Sequence, residues 1–251
     1  GDVYKRQDKY GRRIAELKSN TKCVSLKKEN VDYFCKAQNT NAFSIKGTLI
    51  WDRDTLDFHS KLIGKFNLEN IVLSAAIALE INISPKSISR GIKNCTNING
   101  RLHLIQNRSN QLIFLDYGHT PDAYLKVLKT LKDNFNKPLK VLFGAGGGRD
   151  KSKRPKMAAV VEKFTVESYL APDNPRFEDI ESINADVING FLKSNHYSFN
   201  DRKEALEFAL KNLKPEEILI IFGKGTEEYQ EIDGVKHFYS DIDIINNFYA
   251  N

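Results

Sequence analysis

Asp173, Asn174, Pro175 and Arg176, inside the segment APDNPRFED, place an acid, an amide and a guanidinium in one turn. That set suits a zwitterionic amino acid, because Arg176 offers a planar fork to a carboxylate and Asp173 can receive an ammonium. Pro175 fixes its own φ and restricts Asn174 to extended backbone, so the neighbouring side chains are held rather than left to search. The same residue types also build ordinary strand-to-helix loops, so the tetrapeptide takes its weight from what surrounds it.

Two glycine-containing loops flank it. GAGGGRDKSKRP, residues 144–155, combines accessible backbone amides with Arg149, Lys151, Lys153 and Arg154, which is anion-binding chemistry. It is not a P-loop: the G-x-x-x-x-G-K-[ST] spacing occurs nowhere in the chain, and Arg149 stands where G-x-G-x-x-G needs its last glycine. GKGTEEYQ, residues 223–230, supplies Gly223 and Glu227. In LDYGHTPD, residues 115–122, Asp116 stands at a strand end, where a carboxylate either bonds a ribose diol or caps a turn. His119 precedes a helix cap, as a ligand or as a satisfied loop histidine. GKFNLEN, residues 64–70, puts the amides of Asn67 and Asn70 on the first turn of a helix, to read an adenine edge or to cap.

These loops need strands behind them. After residue 100 the pattern alternates regularly, with apolar runs at 112–115, 140–143, 166–171, 197–199 and 218–222. Helical stretches are expected from 120–122 onward and over 154–164, 180–192 and 202–213. Such alternation predicts an α/β domain, an open, mostly parallel sheet with helices on both faces, whose loops meet at the carboxyl edge of the strands. Asp233-Gly234 reads as a hairpin turn, and Ser240 or Asp241 as the cap of a last helix. Before residue 100 the pattern is mixed. A helix is expected over 10–18, half-buried strands between 42 and 64, a helix over 68–80 that is apolar on nearly every side and therefore buried, and another opened by Ser84-Pro85. The boundary separates 1–99 from 100–251, with Gly100 as a hinge. Residues 1–7, with no initiator Met and no apolar signal core, are expected to be foreign to the rest.

The 251 residues, 41% hydrophobic and 28% charged, describe a globular chain, and no apolar run approaches the roughly 20 residues of a membrane span. The net charge of +6 suits polyanionic small molecules, but its lysines and arginines are interleaved with acids along helical stretches, and no nucleic-acid-binding motif is present. Neither nucleic acid nor membrane insertion is expected. Cys23, Cys35 and Cys95 fall outside any metal-ligand spacing and read as reduced thiols of a cytoplasmic protein.

GKFNLEN, NGR (99–101), DYGHTPD, GAGGGRDKSKRP, DNPR and GKGTEEYQ stand together in an order and spacing that resembles the Mur ligases, in particular their meso-diaminopimelate-adding branch. The resemblance runs from about residue 8 to the C-terminus. It implies that 100–251 is a Rossmann-like C-terminal domain binding the incoming amino acid, preceded over 1–99 by the tail of a central ATP-binding domain. It implies an amide ligase of peptidoglycan precursor synthesis: ATP phosphorylates the D-glutamate carboxylate of UDP-N-acetylmuramoyl-L-alanyl-D-glutamate, and the amine of meso-diaminopimelate displaces phosphate, with Mg²⁺ neutralising charge. By position it implies nucleotide contacts at Asn67, Asn70, Arg101, Asp116 and His119. An amino-acid pocket would form at Arg149, Asp173, Asn174, Pro175, Arg176, Gly223 and Glu227, with Arg176 reading the second carboxylate that lysine lacks.

The P-loop, the UDP-sugar domain and the lysine that helps hold Mg²⁺ would lie before residue 1, so no catalytic residue or metal ligand is expected among these 251 residues, and they are expected to be inactive alone. Three positions depart from the pattern: Gly118 for the usual Ala, Gly148 for Asp and Thr226 for His. The alternatives are another Mur or folylpolyglutamate synthetase-type ligase, and a non-catalytic amino-acid-binding module descended from the C-terminal domain.

Overall fold

Five strands form the sheet of the first of two units, Gly1–Asn97, in the order β1-β2-β3-β4-β5. The computed structural model describes residues 2–5, 13, 21–27, 31–41 and 44–250. Strand β1 (Asp2–Lys5) lies parallel to β2 (Thr21–Ser25), which is parallel to β3 (Tyr33–Asn41). β3, β4 (Ser44–Trp51) and β5 (Asp54–Ser60) are antiparallel. The expected alternation is present: Ile45, Gly47 and Leu49 of β4, and Leu56 and Phe58 of β5, point inward. The helix expected over 10–18 lies, except for Arg13, outside the described residues.

Helix α1 (Lys65–Glu80) packs on this sheet, starting three residues before the expected position. It is not buried all round. Leu68, Ile71, Val72, Ala75 and Ala76 join Ile45, Leu49, Leu56 and Phe58 in one core, whereas Ile77 is 44% exposed. A helix laid on a single sheet buries one stripe, and the remaining apolar residues fall outside it. Helix α2 (Pro85–Asn94) opens as expected, with Ser84 Oγ accepting from the Ser87 amide at 3.3 Å and Pro85 in the first turn.

The second unit, Ile98–Asn251, contains a six-stranded sheet of order β10-β9-β8-β11-β7-β6. Its strands are β6 (His103–Ile105), β7 (Leu112–Asp116), β8 (Leu139–Phe143), β9 (Glu167–Leu170), β10 (His196–Ser198) and β11 (Ile218–Phe222). All pair in parallel except β6, an antiparallel edge strand too short for its alternation to stand out. β8 and β11 are buried throughout, as central parallel strands with both faces covered must be.

Helices α3 (Pro121–Phe135) and α4 (Arg154–Phe164) cover one face, where Tyr124 of α3 stacks on Phe222 at 4.1 Å between ring centroids. α5 (Ile180–Ile188) packs beside α4, and α6 (Arg202–Lys211) and α7 (Asp241–Ala250) cover the other face through Leu206, Leu210 and Ile245. α5 stops before the expected residue 192 because Gly190 turns the chain against α4: a Cβ there would lie 2.0 Å from the carbonyl oxygen of Pro155. Asp233 (φ 51°) and Gly234 (φ 76°) make the hairpin joining β12 (Tyr229–Ile232) to β13 (Val235–Phe238), both left-handed as a type I′ turn requires. Ser240 caps α7 by accepting from the Asp243 amide at 3.1 Å.

Candidate functional site

Phe222 is in register with Asp116, and Phe143 with Leu170, so β7, β8, β9 and β11 end together and release four loops at one edge. Two of these loops interlock backbone to backbone. Gly147 N–H donates to Asn174 O at 2.9 Å, and a Cβ on Gly147 would sit 1.8 Å from the Pro175 carbonyl oxygen. A Cβ on Gly144 would sit 1.9 Å from that of Ala171. These glycines therefore serve close chain approach, where the sequence suggested amides left open for an anion.

The cations of the same loop divide. Arg154 is buried and grips Glu178 with both Nη atoms at 2.8 and 2.7 Å, while also reaching Asp186 at 2.8 Å and Gly146 O at 3.2 Å. Lys151 pairs with Glu178 at 2.7 Å. These two hold the loop, contrary to the anion-binding role expected of them, and together they keep the Glu178 carboxyl well below the usual carboxylate range. Arg149 and Lys153 are left to face the pocket, and Lys153 Nζ donates to the carbonyl of His119 at 3.0 Å.

Arg176 is set by its backbone as much as by Pro175. Its φ is 55°, its amide donates to Glu231 O at 3.0 Å, and its carbonyl accepts from Asp233 N at 2.6 Å. Nη1 donates to Gly147 O at 2.9 Å, and Nε pairs with Glu231 at 3.3 Å. Part of the fork thus orients the side chain, and Nη2 has no protein partner among the described residues. Asn174 is buried and chiefly structural: its Oδ1 accepts from Glu231 N at 2.9 Å and from Lys224 Nζ at 2.6 Å.

Lys224 is the residue that sequence reasoning passed over. It is completely buried, donates also to Tyr229 O at 2.7 Å, and lies 3.6 Å from Asp173 and 3.5 Å from Glu227. Burial lowers its pKa from the ordinary lysine value, Asp173 and Glu227 oppose that, and Arg202 adds to it. The available signal was a lysine between two glycines directly after a fully apolar strand. Beneath the loops, Arg202 donates to Phe222 O at 3.0 Å and pairs with Asp241 at 2.8 Å, both side chains fully buried.

Asp116, 4% exposed, accepts from the amides of Leu102 and Gly118 at 2.8 and 2.7 Å, so each oxygen already holds a turn. His119 is exposed, with Nδ1 at 2.9 Å from Tyr117 O; the neutral ring then donates from Nδ1 and presents Nε2 as an acceptor. Arg101 lies over the Tyr117 ring at 5.5 Å. Asn67 and Asn70 belong to the first unit. Asn70 is exposed, and Asn67 is buried with Nδ2 on Ile63 O at 2.8 Å and Oδ1 without a protein partner among the described residues.

A cavity of about 390 Å³ gathers His119, Arg149, Asp173, Asn174, Arg176, Gly223 and Glu227, together with Gly146 and Lys153. Arg101, Asp116 and Pro175 are outside its lining. Arg149, Lys153 and Arg176 face Asp173 and Glu227, so the lining is complementary to a small molecule bearing ammonium groups and more than one carboxylate. Among the described residues no group of three or more His, Cys, Asp or Glu is arranged to hold a metal ion, and no helix is long and apolar enough to cross a membrane.

The family described as Mur ligase, glutamate ligase domain, matches residues 100–225. The chain is 33% identical over 239 residues to a UDP-N-acetylmuramoyl-L-alanyl-D-glutamate--2,6-diaminopimelate ligase of Pseudomonas aeruginosa, covering 94% of this chain and 49% of that protein. It is 36% identical over 197 residues to the protein of the same name in Bacillus cereus, covering 78% and 40%. A solved structure of a ligase of that name aligns with a TM-score of 0.65 at 30% identity, over 99% of this chain and 52% of the other. The chain spans about half the length of the curated relatives it matches.

Proposed function

The chain belongs to the Mur ligase family, and on that premise we propose that it forms the amino-acid-receiving part of an ATP-dependent ligase that adds meso-diaminopimelate to UDP-N-acetylmuramoyl-L-alanyl-D-glutamate. The observation that carries this reading is the single pocket lined by Arg149, Lys153 and Arg176 against Asp173 and Glu227. Diaminopimelate has two ammonium groups and two carboxylates, and its relative lysine lacks one of those carboxylates. Arg176 and its neighbouring cations suit that extra group, and Asp173 and Glu227 suit an ammonium. The names of the similar ligases point to the same substrate.

In this reading residues 100–251 are the C-terminal domain and 1–99 the tail of a central ATP-binding domain. Asn67, Asn70, Arg101, Asp116 and His119 are placed as nucleotide contacts, Asp116 acting through the turn it holds. ATP phosphorylates the D-glutamate carboxylate, and the deprotonated amine of diaminopimelate attacks the acyl carbon. The C–N bond forms as the C–O bond to phosphate breaks, releasing inorganic phosphate. This chain's contribution is to bind the amino acid and aim its amine, which replaces a bimolecular encounter by an oriented one. No group of three or more His, Cys, Asp or Glu is gathered among the described residues, and in this reading Mg²⁺ is held mostly by residues outside them. The reaction is placed in the cytoplasm.

The test is ATP-dependent phosphate release with the muramoyl dipeptide and meso-diaminopimelate. The complete ligase containing this chain is expected to turn over, and the 251 residues alone are not. Turnover by the 251 residues would contradict their dependence on further segments, and a complete protein that binds the amino acid without ligating it would favour a non-catalytic binding module.

A further inference from the structure

We propose that Lys224 is a positioning residue of the amino-acid pocket: its buried ammonium draws Asp173 and Glu227 toward one point and fixes Asn174 between them, presetting the carboxylates that receive the ligand. The proposal rests on the amino-acid reading of the pocket given above. Asp173 reaches the pocket from the loop after β9, and Glu227 from the loop after β11. Two like charges brought together from separate loops repel unless a cation lies between them. Lys224 supplies it, at 3.6 Å from Asp173 and 3.5 Å from Glu227.

An ammonium has three N–H groups. Two are engaged by Asn174 Oδ1 at 2.6 Å and Tyr229 O at 2.7 Å, which leaves one for the carboxylates. Asn174 in turn donates from Nδ2 to Glu227 at 3.4 Å, so lysine, amide and acid close a ring of contacts behind the lining. A lysine with no exposed surface is costly to desolvate unless its partners compensate, and here Asp173, Asn174 and Glu227, from the loops after β9 and β11, do so together with the Tyr229 carbonyl at the start of β12. Gly223 keeps the approach open: its φ is 104°, and a Cβ there would lie 3.0 Å from Asp173 Oδ2.

The experiment titrates meso-diaminopimelate calorimetrically into this chain and into its Lys224→Met and Lys224→Arg variants, with folding followed by circular dichroism. Lys224→Met is expected to raise Kd at least about tenfold, and Lys224→Arg, which retains the charge, is expected to recover part of the loss. A lysine that merely stabilises the fold would lower the melting temperature and leave Kd of the folded protein unchanged, and that result overturns the proposal. If Lys224→Met does not fold, Lys224→Gln, which keeps a donor and loses the charge, decides: a Kd raised about threefold or more supports positioning, and the wild-type Kd overturns it. If the unmodified chain shows no saturable binding, the amino-acid reading of the pocket fails first and the role of Lys224 falls with it.

Discussion

The hydroxyls of Thr226 and Tyr117 lie 2.5 Å apart, joining the last loop of the pocket to the turn after β7. The Tyr117 ring is closely flanked by glycines: a Cβ on Gly100 would lie 2.1 Å from it, and one on Gly225 2.6 Å. Its amide also donates to Gly100 O at 2.8 Å. Thr226, one of the three departures from the family pattern, thus has a definite partner, and Gly100 is required by a neighbouring ring as well as by its φ of 66°.

Thr226→Val and Tyr117→Phe should each cost about 1 kcal/mol of unfolding free energy, the usual worth of one hydrogen bond. Denaturant titration of both variants and the double variant checks this. The double variant should lose less than the sum, because both substitutions remove the same bond.

Adjacent glycines should respond unequally. Gly147→Ala drives a Cβ into the Pro175 carbonyl at 1.8 Å, backbone against backbone, and should cost about 2–4 kcal/mol. Gly148 has φ 62° and nothing within 4 Å, so Gly148→Asp, the residue the resemblance expects there, should cost no more than about 1 kcal/mol. Equal losses in thermal denaturation would contradict the backbone contact.

Arg202→Met leaves Asp241 in the interior with Tyr239 as its remaining side-chain donor, at 2.7 Å, and frees the carbonyl of Phe222 just below Gly223. Breaking a buried pair in this way costs about 3–5 kcal/mol, so chemical denaturation should show a loss of that size. A double replacement with apolar residues should lose less, because no charge remains buried alone.

Glu178 links acid stability to the glycine loop. Arg154, then Lys151, depress its folded pKa below the unfolded value of 4.5, so its stabilisation is complete above about pH 4.5 and is lost as pH falls through the folded value. Glu178→Gln should flatten stability against pH in that acid window and leave its slope at neutral pH unchanged, as measured by thermal melts across pH.

The parallel sheet was readable because its strands are continuous apolar runs separated by helices with marked caps, such as Thr120-Pro121 and Asp201. Strand β6 (HLI), an antiparallel edge strand, was not. α1 looked wholly buried because sequence shows how apolar a helix is, not how many neighbours it has. Within the site, the lining residues follow from their chemistry. Which cations are free does not: Arg154 and Arg149 look alike in GAGGGRDKSKRP until Glu178, 24 residues beyond Arg154, claims one of them. Lys224 was hidden for the same reason: Asn174, which its ammonium fixes, lies 50 residues away along the chain.

In the proposed reading, Arg176 makes this a pocket for a diaminopimelate rather than for a single-carboxylate diamine. The direct measurement is competition between meso-diaminopimelate and L-lysine for binding to this chain and to its Arg176→Ala variant. The unmodified chain should prefer diaminopimelate, and the variant should lose about 10- to 100-fold of that preference, the range for a hydrogen-bonded charge pair, while still binding lysine. Equal affinity for the two ligands in the unmodified chain, or a preference that survives Arg176→Ala, would contradict it.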